Sequence, residues 1–386
     1  MPGPALVSAI CPRRLFDGDN WLDDHALLID REQIVAVLPR AELAADIQRH
    51  ELAGLNLAPG LIDIQVNGGG GVMFNNQPSA EGVATIANAH RRYGTTGIMP
   101  TVISDTPEVQ RRAASAIAAA RAAGESGVLG LHLEGPHFAP NRRGTHKATM
   151  IRPPAPSDID WLTSLGDFPT MITLAPEHAG PGVVRKLSQA GLLVCAGHTD
   201  ASYQQISAAI AEGLRGFTHL FNAMSPLQGR APGTVGAALD NTDTWAGIIA
   251  DGHHVDPAAI RIAHRAKGPG KLLLVSDAMS TVGGPDSIEI YGECIKVDAG
   301  RLVNAEGNLA GSAIALFDAV RIAHLDAGLA LEECLRMASR YPAQFLGLEG
   351  QLGRLAAGYR ADLFAFDNDY QVSHTWVAGE HQQHAI

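Results

Sequence analysis

The alternation of apolar and polar positions divides the chain into three stretches. Residues 1 to about 57 set short β-type runs between turns, ALVSAI, FDGDN, HALLIDREQIVAVL and HELAGLNLAPG, and predict a small antiparallel β unit. From Gly60 to about Ala343, short apolar runs are each followed by Ala-rich helical sequence, the rhythm of repeated βα units on a parallel sheet. From Gly353 the text GRLAAGYRADLFAFDNDYQVSHTWVAG loses the helical period, so the C-terminus is expected to rejoin the N-terminal unit. The expected organisation is a discontinuous β-sandwich domain, residues 1–57 and 353–386, around a central unit of residues 58–352.

The strand candidates of the central unit are LIDIQV, TGIMPTV, VLGLHLE, MITLAP, LLVCAGH, GFTHL, AGIIAD and KLLLVSD, eight in all. Eight strand–helix alternations close naturally as a (β/α)8 barrel of the TIM type, with functional groups at the C-terminal ends of the strands. A doubly wound open sheet is the alternative, because periodicity does not report closure. Helix signals are strong: Thr106-Pro107 opens one helix and Gly124 closes it, and Asp256-Pro257 with Gly268 brackets another. No GxGxxG follows the first strand and no Gly-rich stretch reads GxxxxGK[ST], so nucleotide binding has no local support. The run Gly68 to Gly71 reads as a mobile turn.

Composition narrows the function. With 46% hydrophobic and 18% charged residues the chain is a folded globular protein, which excludes disorder and coiled coil. A net charge of -11 argues against nucleic acid. No apolar run approaches the ~18 residues of a membrane span and no basic segment precedes a signal-like stretch, so no membrane partner and a cytoplasmic location are expected. Cys11, Cys195, Cys294 and Cys334 form no CxxC pair and read as buried reduced thiols.

Ionisable or amide residues close nearly every predicted strand. A period of two puts Asp63, Gln65 and Asn67 on one face of the first strand, and His132 with Glu134 on one face of the third. The fifth strand ends at His198, the sixth at His219 and the eighth at Asp277. Singly, each has a structural explanation as a hydrogen-bonded histidine or an N-cap. In a barrel, however, Glu134, His198 and His219 would converge on one mouth, and a carboxylate with two imidazoles is a three-ligand set that leaves a divalent metal an open position. Asp277 would then stand as general base.

The strings APGLIDIQVNG, LHLEGPHF followed by GTH, LAPE, AGHTDA, THLFNAMSPLQGRAPG, ADGHHVD, LLLVSDAM and LAGS stand in the order found in N-acetylglucosamine-6-phosphate deacetylases of the amidohydrolase superfamily. The closing GRLAAGYRADL is similar to the superfamily's C-terminal signature, so the resemblance runs roughly from Pro59 to Phe366. It implies metal ligands at Glu134, His198 and His219, a catalytic Asp277, and a His146 that contacts the reacting acetamide. It further implies substrate contacts from Thr145, His146, Asn222, Ala223, Arg230, His254, Leu309, Ala310 and Gly311, with Arg230 on the phosphate and contributed across a homodimer interface. Many superfamily members carry His-x-His on the first strand and hold two metals, whereas Gln65 and Asn67 stand there in this chain. Amides are poor ligands for transition metals, so the second position is expected weak or vacant. One divalent ion per subunit is expected, zinc first, with iron, cobalt or manganese also acceptable to such ligands.

The implied reaction releases acetate from N-acetyl-D-glucosamine 6-phosphate. Its galacto epimer is the alternative substrate, and a non-catalytic amidohydrolase-like protein the alternative class, against which the full set Glu134, His198, His219 and Asp277 argues. Arg142, Arg143 and Lys147 flank GTH, either as a solvated loop or as positive potential near the mouth. Of the adjacent His253 and His254, the resemblance selects His254. His132, His137 and His178 read as core or supporting residues.

Overall fold

The computed structural model describes residues 7–385. All eight predicted strands form, in order, a parallel sheet. Numbered β1 to β8, they are Leu61–Val66, Thr95–Ile103, Leu131–Glu134, Thr170–Leu174, Leu193–Ala196, Gly216–Phe217, Trp245–Ile249 and Leu272–Val275. Nearly all of their residues are buried, which is why they read as continuous apolar runs rather than as alternating ones. β8 and β1 share no regular ladder. The seam is closed by a bridge between Val66 and Ala278, with Asp277 N donating to Gln65 O at 3.0 Å and Asn67 N to Ala278 O at 2.8 Å. The barrel is therefore joined by the same short segments that carry its polar strand ends.

The helix signals hold. Thr106 caps Pro107–Ala122 through its side chain to Val109 N, and Gly124 follows at φ +92°. Asp256 caps Pro257–Lys267, and Gly268 ends it at φ +68°.

Strands from both ends of the chain share one eight-stranded sheet. Leu363–Phe366 pairs antiparallel with the C-terminal half of Gln48–Pro59, and Val372–Val377 and Glu380–Gln383 extend that edge. At the other edge Gln33 bridges to Arg360, so the sheet curls over its own core of Ile10, Leu27, Leu57, Leu363 and Trp376. The unit is not wholly antiparallel as expected: Ser8–Phe16 runs parallel to Gln48–Pro59. Between them in sequence, His25–Asp30 runs antiparallel to Ser8–Phe16 and Gln33–Pro39 antiparallel to His25–Asp30, and these two reversals bring the later strand back in the first one's direction. Gln48–Pro59 also runs two residues past position 57 before β1 begins. The first two residues of the ALVSAI run lie outside the described residues.

Two further features depart from the sequence reading. Gly68 to Gly71 is not a loose turn: Gly68–Gly69 pairs with Val72–Met73, and Gly68 N donates to Ala278 O at 3.1 Å. A Cβ at Gly68 would lie 2.5 Å from Val72 O and 2.8 Å from Ser280 N, so the glycine permits close packing against the β8 end. Between β8 and the next helix, Leu316–Leu325, stands a four-stranded antiparallel insert of Ser287–Ile290, Glu293–Asp298, Arg301–Val303 and Leu309–Ser312. Its Ile288, Ile290, Ile295 and Leu302 pack with Ile103 and Met279, seating the insert over the barrel mouth.

Candidate active site at the barrel mouth

Glu134 closes β3, and His198 and His219 follow the ends of β5 and β6. Their ligand atoms lie within 4.8 Å of one another and all three residues are buried. Glu134 Oε1 is 3.0 Å from His219 Nε2 and 3.4 Å from His198 Nε2, and the two Nε2 atoms are 3.0 Å apart. Arg142 O, 2.8 Å from His198 Nδ1, accepts that proton, which leaves the His198 Nε2 lone pair facing Glu134 and His219. Burial acts to raise the Glu134 carboxyl, but the facing His198 and His219 rings outweigh it and hold Glu134 well below the usual carboxylate range. An ionised carboxylate and two imidazoles converging in a buried pocket fit a divalent metal ion.

Asp277, just beyond β8, faces this group. Its Oδ1 accepts from Asn67 Nδ2 at 2.7 Å and Gln65 Nε2 at 3.1 Å, and Gln65 Nε2 also donates to Glu134 Oε1 at 3.0 Å. Only the amide NH2 can serve carboxylate oxygens, so the two amides turn donors, not lone pairs, toward the site. A donor thus lies between Glu134 and Asp277, where two histidines would have offered ligands. Burial first, then the charge of Glu134, pushes the Asp277 carboxyl up to about 6, close to a working pH. His198, His219 and Asp277 take positive φ values of 50°, 33° and 53°, backbone strain gathered where chemistry is expected.

His146 is buried beside this group, and its Nδ1 accepts from Ser104 N at 3.2 Å. The ring proton therefore sits on Nε2. Burial, reinforced by His198, holds His146 well below the ordinary histidine value, so the ring is a neutral donor. These groups open into a cavity of about 400 Å³, a size suited to a small molecule.

Comparison with known proteins places this geometry. Residues 56–381 match the Amidohydrolase family, and residues 8–57 match the NagA composite domain. The chain belongs to the amidohydrolase family. An N-acetylgalactosamine-6-phosphate deacetylase from Shewanella sp. (strain ANA-3) is 40% identical over 88% of this chain and 86% of its own length. An N-acetylglucosamine-6-phosphate deacetylase from Haemophilus influenzae is 36% identical over 97% of this chain and 98% of that one. The crystal structure of N-acetylglucosamine-6-phosphate deacetylase from Pasteurella multocida superposes with a TM-score of 0.95 at 36% identity, covering 98% of this chain and all of that one.

In this amidohydrolase the cavity is lined by Asn67, Glu134, Thr145, His146, His198, His219, Asn222, Ala223, His254, Asp277, Leu309 and Gly311, all singled out from sequence. Gln65 and Ala310 lie behind that lining, Gln65 through the hydrogen bonds above and Ala310 within the insert's core. His254 lines the cavity, its Nδ1 2.6 Å from Asp251 Oδ2, while His253 is exposed. His132 spans Thr101 and Thr173 in the barrel core, and His137 Nδ1 meets Arg152 O, as a supporting reading expects. His178 is instead exposed, because it sits on the outer side of the single turn Pro176–Ala179. Cys294 departs from the expected burial, exposed on Glu293–Asp298 of the insert, while Cys11, Cys195 and Cys334 are buried.

Arg230 is not brought into the cavity. It is exposed on the loop before Gly233–Asp240 and has no side-chain partner among the described residues. Arg142 lines the cavity but is paired with Asp200 at 2.8 Å, and Arg143 is held by Glu306 at 2.7 Å. Sequence reasoning missed Ser104, which orients His146, and the lining residues Gly307 and Asn308 of the insert. The insert had a signal: SIEIYGECIKVDAGRL alternates around Tyr291-Gly292 and Ala299-Gly300, two pairs at positive φ as in tight hairpins.

Proposed function

We propose that the chain hydrolyses the acetamide of N-acetyl-D-glucosamine 6-phosphate to D-glucosamine 6-phosphate and acetate, in amino-sugar metabolism. The observation that carries this reading is the convergence of Glu134, His198 and His219 with Asp277 and His146 on one cavity floor. Glu134, His198 and His219 would hold one divalent ion, zinc on the chemistry of the donors. Bound there, such an ion supplies Lewis acidity toward the acetyl carbonyl and acidifies water.

Gln65 and Asn67 occupy Asp277 Oδ1, which leaves Oδ2 to take the proton of the attacking water. An acid near 6 accepts that proton as the water oxygen bonds to the carbonyl carbon, then passes it to the amine nitrogen as the C–N bond breaks. His146 donates from Nε2 to the carbonyl oxygen, where negative charge develops. Asn67 and Gln65 also fill the second-metal position with N–H donors, in keeping with a single ion.

Thr145, Asn222, Ala223, His254 and the Leu309, Ala310 and Gly311 backbone would position the sugar. The phosphate would take Arg230, which can grip it bidentately. Its exposure, and the pairing of Arg142 with Asp200, support a homodimer in which Arg230 reaches the partner's cavity. The boundaries 1–57, 58–352 and 353–386 belong to the same proposal, as does a cytoplasmic location; no described helix is long and apolar enough to cross a membrane.

The galacto epimer is the second reading, favoured by the 40% identity to the Shewanella enzyme. Acetate release from N-acetylglucosamine 6-phosphate, its galacto epimer and unphosphorylated N-acetylglucosamine tests both. Fastest release from the first supports the proposal, fastest release from the second transfers it to the epimer, and no release from any of them overturns it.

A further inference from the structure

A second group of metal-type side chains lies in the terminal sheet, away from the barrel mouth. His50 stands on Gln48–Pro59, His374 on Val372–Val377 and His381 on Glu380–Gln383. One ring nitrogen of each lies within 4.8 Å of the other two. His374 Nδ1 is 3.0 Å from His381 Nε2 and the ring centroids are 5.2 Å apart, so these rings meet edge to edge with their nitrogens facing. The His50 ring stands across both, nearly perpendicular, with centroids 4.9 Å from His381 and 5.4 Å from His374. It has no hydrogen-bond partner among the described contacts. Trp376 stacks on His381 at 4.6 Å and fixes its plane.

We propose that His50, His374 and His381 form a second site, for a borderline transition-metal cation such as zinc, copper(II), nickel or cobalt. Metal–nitrogen bonds of ~2.0–2.1 Å at tetrahedral angles put ligand nitrogens roughly 3.3 Å apart, within the spread observed, so small side-chain rotations complete the site. Three neutral imidazoles without a carboxylate disfavour calcium and magnesium, which take oxygen ligands. His381 is exposed, which gives an ion its entry path and leaves the fourth position to water. An ion there would join a strand of the N-terminal segment to the C-terminal hairpin, a cross-link closing the discontinuous unit without touching the reaction.

The test is zinc content after dialysis of the full-length protein against zinc, with His381→Ala and His374→Gln alongside, and acetate release as the check on folding. The expected result is about one zinc more per chain in the wild type than in either variant, with unchanged turnover. Zinc in excess of the first equivalent should also raise the wild-type melting temperature and leave that of His381→Ala unmoved. Equal zinc in all three proteins overturns the site. If His374→Gln does not fold, the comparison of wild type with the exposed-position variant His381→Ala decides alone.

Discussion

The two histidine clusters use the same side chain for different ends. At the barrel mouth two imidazoles share the site with an ionised Glu134, all three are buried, and His198 and His219 stand at positive φ. On the terminal sheet three imidazoles stand without a carboxylate, partly exposed, on strands of ordinary backbone. A negative ligand among buried side chains would give the mouth the stronger hold on a divalent cation, because the attraction is less screened there. Around the mouth also stand groups that no structural site needs: Asp277 raised to about 6, and His146 held neutral with its proton on Nε2. A reactive metal site is thus marked by the acid and the donor that face it, and a cross-linking one by the strands it joins.

That contrast is open to attack in order of expected effect. Asp277→Asn should keep its metal and lose ~10²–10⁴-fold in kcat, the range of a general acid–base; turnover near wild type would remove Asp277 from the chemistry. His146→Ala should cost ~10²–10³-fold in kcat with KM little changed, as for one lost oxyanion donor. Steady-state kinetics in which only KM moves would make His146 a binding residue. Arg230→Ala should raise KM roughly 10- to 100-fold for the 6-phosphate sugar, since a hydrogen bond to a charged group contributes about 1.5–3 kcal/mol. The unphosphorylated sugar should be unaffected, and equal effects on both would sink the phosphate role. Smallest on activity is His381→Ala, which should leave turnover unchanged while removing about one zinc; a loss of turnover there would erase the distinction between the clusters.

The barrel was legible because its strands are buried on both faces and each helix carries its own punctuation, such as Thr106-Pro107 and Asp256-Pro257. Glu134, His198, His219 and Asp277 were legible because a strand end in this fold points its polar residue at the mouth. The parallel pairing of Ser8–Phe16 with Gln48–Pro59 was not, since register depends on where distant strands return. Nor was the packed Gly68 to Gly71 hairpin, whose need for glycine arises in part from Ser280, distant in sequence. Ser104 has nothing in its local sequence to show that it faces His146, 42 residues on. The His50, His374 and His381 group escaped notice for the same reason: one member lies at the opposite end of the chain from the other two.

On the proposed mechanism one ion at the mouth, and no other, supports the reaction. Zinc added in measured equivalents to metal-free His381→Ala, with acetate release from N-acetylglucosamine 6-phosphate followed throughout, puts this to the test. Activity absent at the start and complete at about one equivalent per chain is the predicted result. Release that is indifferent to zinc, or that keeps rising toward a second equivalent, would contradict it.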